Sequence, residues 1–295
     1  MAQIKPQPLP MTSQPGLYII TGAGRGFGRT LTLALAEDAA PGSRFILIGR
    51  NSEALDLVAA AIAELRNASD EIETRTVSLD LGQANADAIE SALQEATKSP
   101  LLGTYAPPFG LLVHNAGTLG IYGQKSDCLT DKAVLDEHWS VNITSVLLLN
   151  AYCLKLSIVN QWWIVNVSSL CAVQPFKSMA VYCASKAARL MLFRTLAAER
   201  PDLSLLSYGP GPLDTDMQAQ LRESADPESR AMWQDLRERL LPPAQSALIL
   251  VRMLRRGGFG TTAGGEHQQV DVYDVMDELL QPPTPPTPAT SEQAD

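Results

Sequence analysis

Seven short apolar runs punctuate the chain: LYIIT (17–21), RFILIG (44–49), IETRTVSL (72–79), FGLLVH (109–114), QWWIVNV (161–167), LSLLSYG (203–209) and QQVDVYD (268–274). A segment of helical period lies between each pair. Runs this short, rich in β-branched and aromatic residues and bounded by Gly, Pro and Asn, read as buried strands. Strands joined through a helix cannot close as hairpins; the crossover makes them parallel, and repeated units wind helices onto both faces of one sheet. The expected fold class is therefore α/β, a doubly wound, seven-stranded, mostly parallel sheet in a single domain. An apolar content of 45% with 19% charged residues suffices for the large core such a sheet needs.

The helical patterns run from Phe27 to about Ala39, from Ser52 to about Arg66, through an alanine-rich stretch to about Lys98, over roughly 131–156, onward from Tyr182, and over 243–256. The segment 99–110 reads as a loop, and 214–241 as a charge-rich helical segment placed to cover a substrate. The domain is expected over 16–278. Residues 1–15 are polar and proline-bearing, so a flexible extension is expected there, and the Pro/Thr-rich 279–295 has too little apolar area to order itself. A net charge of −9 disfavours nucleic acid or an acidic membrane surface as partner. No run reaches the roughly eighteen apolar residues of a membrane helix, and the N-terminus lacks a charged-then-apolar leader, so a soluble cytoplasmic protein is expected. Cys128, Cys153, Cys171 and Cys183 form no ligand spacing with His114, His138 or His267; no metal site is expected, and the thiols read as buried and reduced.

Between the first strand and first helix stands TGAGRGFG (21–28). It does not fit G-x-G-x-x-G, but it fits T-G-x-x-x-G-x-G, with Gly22, Gly26 and Gly28 supplying the tight turn, the close approach to a pyrophosphate and the helix–strand contact of a Rossmann-type site. The end of the second strand selects the dinucleotide. An NAD site wants a carboxylate there for the ribose hydroxyls; this chain has Ile48-Gly49-Arg50-Asn51. Arg50 can fork onto a 2′-phosphate and Arg25 can cover its other side, so NADP(H) is the expected cofactor.

The segment SSLCAVQPFKSMAVYCASK (168–186) carries the chemistry. Tyr182 and Lys186 lie one helical turn apart on one face, and the serine pair ends a strand, where open α/β sheets place ligands. A Ser-Tyr-Lys set can reduce a carbonyl, with the phenol giving the proton. A free tyrosine titrates near ~10, and lowering it by about 3 units takes roughly 4 kcal/mol, which an ammonium about 4 Å away supplies at an effective dielectric near ~20. Either Ser168 or Ser169 could be the serine.

Thr21-Gly22-x-x-x-Gly26-x-Gly28, Asn115-Ala116-Gly117, Asn142, Ser169, Tyr182-x-x-x-Lys186 and Pro210-Gly211-x-x-x-Thr215 occur in one order. Together they resemble the short-chain dehydrogenase/reductase family. The resemblance implies that Ser169, thirteen before the tyrosine, holds the substrate carbonyl, that Lys186 also holds the nicotinamide ribose, and that Asn142 positions a relay water. It places Asn115, Ala116 and Gly117 along the cofactor's middle, Asp80 and Leu81 at the adenine, and Pro210, Gly211, Leu213 and Thr215 over the nicotinamide. Gly24 and Phe27 in the turn, and Asn51 beside Arg50, join the expected cofactor contacts.

GRGFGRTL (24–31), SSLCAVQPFKSMAVYCASKAAR (168–189), YGPGPLDTDMQ (208–218) and VDVYD (270–274) further resemble the branch of that family that reduces side-chain carbonyls of pterins in tetrahydrobiopterin synthesis. That resemblance implies a pterin substrate anchored by Asp271, with Cys171, Met217 and Gln218 lining the pocket with Ser169 and Tyr182. A carboxylate can take the paired N–H groups of an aminopyrimidine edge bidentately. Asp274 is the rival anchor. Other dicarbonyls or quinones are the alternative substrates, and a non-catalytic NADP(H) sensor is a third reading that the intact proton-handling residues disfavour. The apolar surplus on the 131–156 and 182–200 helices, with the family's habit of pairing them, implies a homodimer.

Overall fold

The protein is described from a computed structural model over residues 7–65, 72–98, 107–156, 158–260 and 266–280. Seven strands form one sheet: β1 (Gly16–Thr21), β2 (Arg44–Gly49), β3 (Glu73–Ser78), β4 (Phe109–His114), β5 (Gln161–Val167), β6 (Ser204–Gly209) and β7 (Gln269–Asp271). Their order is β3-β2-β1-β4-β5-β6-β7, and every pairing is parallel. The order reverses between β1 and β4, which opens a crevice at their carboxyl ends.

Alternation along each strand sends successive side chains to opposite faces. Tyr18 and Ile20 of β1 enter one cluster with α1 (Gly26–Asp38), α2 (Ser52–Leu65), α9 (Pro243–Arg256) and α10 (Val272–Leu280). Leu17 and Ile19 enter the other, with α3 (Ala86–Thr97), α5 (Ser145–Cys153) and α6 (Ala180–Glu199). In the first layer Tyr18 stacks on Phe45 at 4.5 Å between centroids and meets Phe109 edge-on.

Several boundaries depart from the sequence reading. The 131–156 helix is broken into α4 (Lys132–Trp139), a π turn (Ser140–Thr144) and α5. The charge-rich 214–241 segment is two helices, α7 (Asp216–Arg222) and α8 (Pro227–Asp235), because Pro227 must open a helix and Asp226 caps it by accepting from Ser229 N–H at 2.8 Å. The seventh strand stops at Asp271. There Asp271 Oδ1 accepts from Tyr273 N–H (3.2 Å) and Asp274 Oδ2 from Asp271 N–H (2.9 Å), a reciprocal cap that starts α10.

Residues 7–15, expected to be loose, instead pack down: Leu9 and Met11 are buried, Leu9 N–H donates to the Leu254 carbonyl at 2.7 Å, and Trp163 Nε1 donates to the Gln7 carbonyl at 2.9 Å. The apolar Leu9 and Met11 outweigh the prolines around them. At the other end Leu279 and Leu280 belong to α10; the remaining tail, residues 1–6, Arg66 and 99–106 lie outside the described residues. Of the cysteines, Cys153 and Cys171 are buried, Cys183 is intermediate and Cys128 is exposed. Among the described residues no helix is long and apolar enough to cross a membrane.

Candidate active site

The glycine turn lies at the crevice. Gly22 has φ +66° and Gly26 φ +53°, both in the left-handed region. A Cβ on Gly28 would stand 2.2 Å from the Gly22 carbonyl oxygen and 2.3 Å from Asn115 Nδ2, so only glycine lets α1 start this close. Asn115 donates from Nδ2 to the carbonyls of Thr21 (2.9 Å) and Gly22 (3.1 Å), and Thr21 Oγ1 accepts from the N–H groups of Asn115 and Ala116. The β4 end therefore locks the turn, leaving bare backbone over Gly26 for a ligand's phosphates. A dinucleotide fits that cradle.

Around it, Gly24 packs its α-carbon toward Ala54, and buried Phe27 stacks toward Tyr208 at 6.4 Å. Arg50 is exposed at the end of β2, with no carboxylate among residues 48–51. Asn51 spends its Oδ1 capping α2, accepting from Ala54 N–H at 2.9 Å. Asp80 Oδ1 accepts from Gly82 N–H at 2.9 Å beside buried Leu81, while the cap of α3 is Asn85. The Arg25 guanidinium pairs with Asp216 of α7 at 3.3 Å, both side chains well exposed. The Arg25 expected to share a 2′-phosphate with Arg50 thus has Asp216 as its partner in this structure.

Pro210 and Gly211 follow β6. The Pro210 carbonyl accepts from Ser246 Oγ at 2.9 Å, and Gly211 has φ +78°. Leu213 is buried and bridges to Leu241, and Thr215 begins α7 over Gly26, where a Cβ would meet its Cγ2 at 3.6 Å.

Ser169 stands at the carboxyl end of β5 as the cap of a 3₁₀ turn (Leu170–Ala172), its Oγ accepting from Cys171 N–H at 3.2 Å. Gln269 of β7 gives the two serines different surroundings. Ser168 Oγ donates to Gln269 Oε1 at 2.5 Å, and Gln269 Nε2 donates to the Ser169 carbonyl at 3.1 Å. Ser168 is buried and consumed; the Ser169 hydroxyl is left beside the Tyr182 phenol. Gln269 is a residue the sequence reading passed over, and its nearness to Asp271 was the available signal.

Tyr182 and Lys186 share the buried face of α6. Lys186 Nζ donates to the Val167 carbonyl at 2.8 Å and lies 5.5 Å from the Tyr182 ring centroid. The expected lowering of the phenol by the lysine is not found. Burial raises Tyr182 strongly, the Cys171 thiol adds to this, and Arg189 and Ser169 offset only part. Lys186 is itself held well below its ordinary value, first by burial and then by the Arg189 guanidinium, with the Cys171 thiol working the other way. Tyr182 is thus kept as the neutral phenol, the form that can donate a proton.

Asn142 is fully buried in the π turn, a distortion often found at functional sites. It accepts at Oδ1 from Thr118 N–H and donates from Nδ2 to the Thr118 carbonyl, both at 2.9 Å, and its Nδ2 lies 3.0 Å from His138 Nε2. A Cβ on Gly117 would come within 3.3 Å of Asn142 Oδ1 and 4.0 Å of Lys186 Nζ, so Gly117, Asn142 and Lys186 lie together.

On the substrate side, Cys171, Met217 and Tyr182 belong to a third apolar cluster with Leu119, Met179, Leu221 and Trp233, roofed by α7 and α8. Gln218 is buried and its Oε1 has no partner within the described residues. Asp271 is half-buried, and burial raises its carboxyl above the usual range, against which the Tyr273 N–H works. Its Oδ2 lies where a Cβ on Gly209 would meet it at 2.7 Å. Asp274 is turned back to cap its own helix, so of the two aspartates Asp271 faces the sheet end.

A short chain dehydrogenase family model matches residues 17–226, from β1 to the residue before α8. The chain is 39% identical over 274 residues to a sepiapterin reductase of Bos taurus, covering 88% of this chain and 94% of that protein. It is 38% identical over 269 residues to a sepiapterin reductase of Rattus norvegicus, covering 87% and 96%. A short chain dehydrogenase of Escherichia coli CFT073, solved as a complex with NADPH, superposes with a TM-score of 0.65 at 25% identity, covering 85% of this chain and 97% of that one. The cradle at the switch point and the Ser169–Tyr182–Lys186 cleft fall inside the matched span, and the chain belongs to the short chain dehydrogenase family as an oxidoreductase that uses a nicotinamide cofactor.

Proposed function

We propose that the protein is an NADPH-dependent carbonyl reductase of the sepiapterin reductase kind, reducing side-chain keto groups of pterins in tetrahydrobiopterin synthesis in the cytoplasm. The observation that carries the pterin reading is Asp271. It stands two residues from Gln269, on the same side of β7, and Gln269 is bonded to both Ser168 and the Ser169 carbonyl. One short strand thus links a half-buried carboxylate, suited to an aminopyrimidine edge, with the serine that meets the carbonyl. The partnerless Gln218 Oε1 supplies a second acceptor for ring N–H groups.

NADPH, when bound, supplies the hydride. Gly22, Gly26 and Gly28 cradle its pyrophosphate, Arg50 takes the 2′-phosphate and Lys186 holds the nicotinamide ribose. Ser169 Oγ donates to the substrate carbonyl oxygen and holds it against Tyr182, whose Oη gives up its proton to that oxygen. Asn142, fixed by Thr118, sets the wall through which the phenol is reprotonated. Exposed Leu147 on α5 and Met191 on α6 support a homodimer through these helices; a sedimentation mass near that of one chain would count against it. The deciding experiment compares cofactor consumption with sepiapterin and with a simple dicarbonyl. NADPH should be consumed fastest with sepiapterin and NADH poorly with either; equal rates for both substrates would remove the pterin assignment.

A further inference from the structure

Among the described residues Arg189 is the largest side chain with no exposure, and its guanidinium meets no carboxylate there. Its partners are all neutral. Nε donates to Asn166 Oδ1 at 2.9 Å, Nη1 to the Ala116 carbonyl at 3.2 Å and Nη2 to the His114 carbonyl at 2.7 Å. Asn166 passes the contact on, donating to Ser207 Oγ at 3.1 Å, which lies 2.9 Å from His267 Nε2. A buried cation without an anion is among the costliest groups a fold can keep, and a glutamine could tie two of these carbonyls without the charge.

The position suggests what the charge is for. Arg189 follows Lys186 by three residues and Tyr182 by seven, so all three lie along one face of α6. The groups facing this strip are Cys183 from α6, Ser169 and Cys171 from the turn after β5, His138 from α4 and His114 from β4. Of these the Cys183 thiol is lowered to about 6, first by its hydrogen bond with Cys171, while the Arg189 guanidinium acts on Tyr182, favouring its phenolate. Burial and the neighbouring guanidinium both hold Lys186 well below its ordinary value, whereas an arginine keeps its charge.

We propose that Arg189 is a further positioning residue of this reductase: it holds Ala116 and the β4 and β5 ends in register beneath the cofactor turn and supplies the fixed positive charge opposite the Tyr182 phenolate. The inference rests on Tyr182 as proton donor. As the hydride reaches the carbonyl carbon, the proton leaves Tyr182 Oη for the carbonyl oxygen, and a phenolate remains until solvent returns a proton; the guanidinium favours that charged state.

The test follows three proteins in both reaction directions, with NADPH binding read separately by protein fluorescence. Arg189→Met should lower turnover at least ~10-fold while NADPH affinity changes less than about threefold. In alcohol oxidation, which needs the phenolate, the rise of rate with pH should move up by about one pH unit. Arg189→Gln, which keeps a donor for the carbonyls, should show the same displacement, and it decides the matter if the Met protein does not fold. If neither neutral protein folds, Arg189→Lys decides: the profile should stay in place at constant charge, and a displaced one overturns the proposal. An unmoved profile in a folded neutral variant also overturns it. Tyr182→Phe separates the two readings, because activity retained there removes the proton donor itself, while its loss beside a normal Arg189→Met profile removes only this inference.

Discussion

The floor and the roof of the cleft are built on opposite principles. Beneath the site, Asn142, Asn166, Ser185 and Arg189 have no exposure, His138 has 1%, and their polar groups are tied to one another or to strand-end carbonyls. Above it, α7 and α8 hold on through the ring contact of Trp233 with Phe176 and the exposed Arg25–Asp216 and Lys177–Glu228 pairs, of a kind worth little in water. The roof also leaves Gln218 Oε1, Arg222 Nη1 and Ser224 Oγ buried without partners within the described residues. Buried polar groups are costly unless bonded, and more of the unpartnered ones lie in the roof than in the floor, where His114 Nδ1 is one within the described residues. Reaction chemistry needs fixed geometry; recognition leaves room to close.

That contrast is broken most directly at Tyr182. Tyr182→Phe removes one hydroxyl from the floor and no packing, so the fold and NADPH binding should persist while turnover falls by about 10³-fold or more, the scale of losing a positioned proton donor. Stopped-flow or steady-state NADPH oxidation, with binding followed by fluorescence, checks both halves. A variant that retains more than a tenth of wild-type turnover would give the proton to another group.

The next effect concerns the floor as a whole. His114, His138 and His267 are held neutral, at about 3, about 4 and about 4, each chiefly by burial, with the cations Arg189, Lys186 and Arg194 respectively adding to the shift. Their folded values lie below the unfolded one, so the unfolded chain binds protons that the native state refuses. The stability they allow is complete above roughly pH 6.5 and is lost as pH falls toward about 4, at about 1.4 kcal/mol per pH unit for each histidine. Urea midpoints between pH 7 and 5 should fall steeply, and His267→Gln should remove about a third of the slope if it folds. A flat profile over that window would mean that the floor is more open than its burial indicates.

What could be read from the sequence divides along the same line. The strand–helix alternation, the glycine turn and the Tyr182–Lys186 spacing depend on local periodicity and short-range geometry, and the parallel sheet and the cleft follow them closely. Arg189 and Gln269 could not be recognised so, because their partners lie up to 101 residues away and only the strand order brings them together. The Coulomb attraction between lysine and phenolate, which spacing alone suggests, is opposed by burial on both groups. Val-Asp-Val-Tyr alternates as a strand does, yet the reciprocal cap between Asp271 and Asp274 ends the seventh strand and turns the chain into α10.

Asp271 lies where floor and roof meet, and it sharpens the comparison most. Its Oδ1 caps α10 through Tyr273 N–H, and its Oδ2 stands against Gly209, which has no side chain to cover it. Asp271→Ala therefore removes a cap and an anchor together. Losing the cap costs about 1 kcal/mol of stability, whichever substrate is used. Losing the anchor should raise the KM for sepiapterin about tenfold or more and leave that for a small diketone, which has no aminopyrimidine edge, nearly unchanged. Asp271→Asn separates the two roles, since its amide oxygen can still accept from Tyr273 N–H while the second oxygen becomes a donor facing ring N–H groups. Stability should return with Asn and sepiapterin affinity should not. Equal KM changes for both substrates would place Asp271 with the helix it caps, and recognition would then fall to Gln218 and the roof.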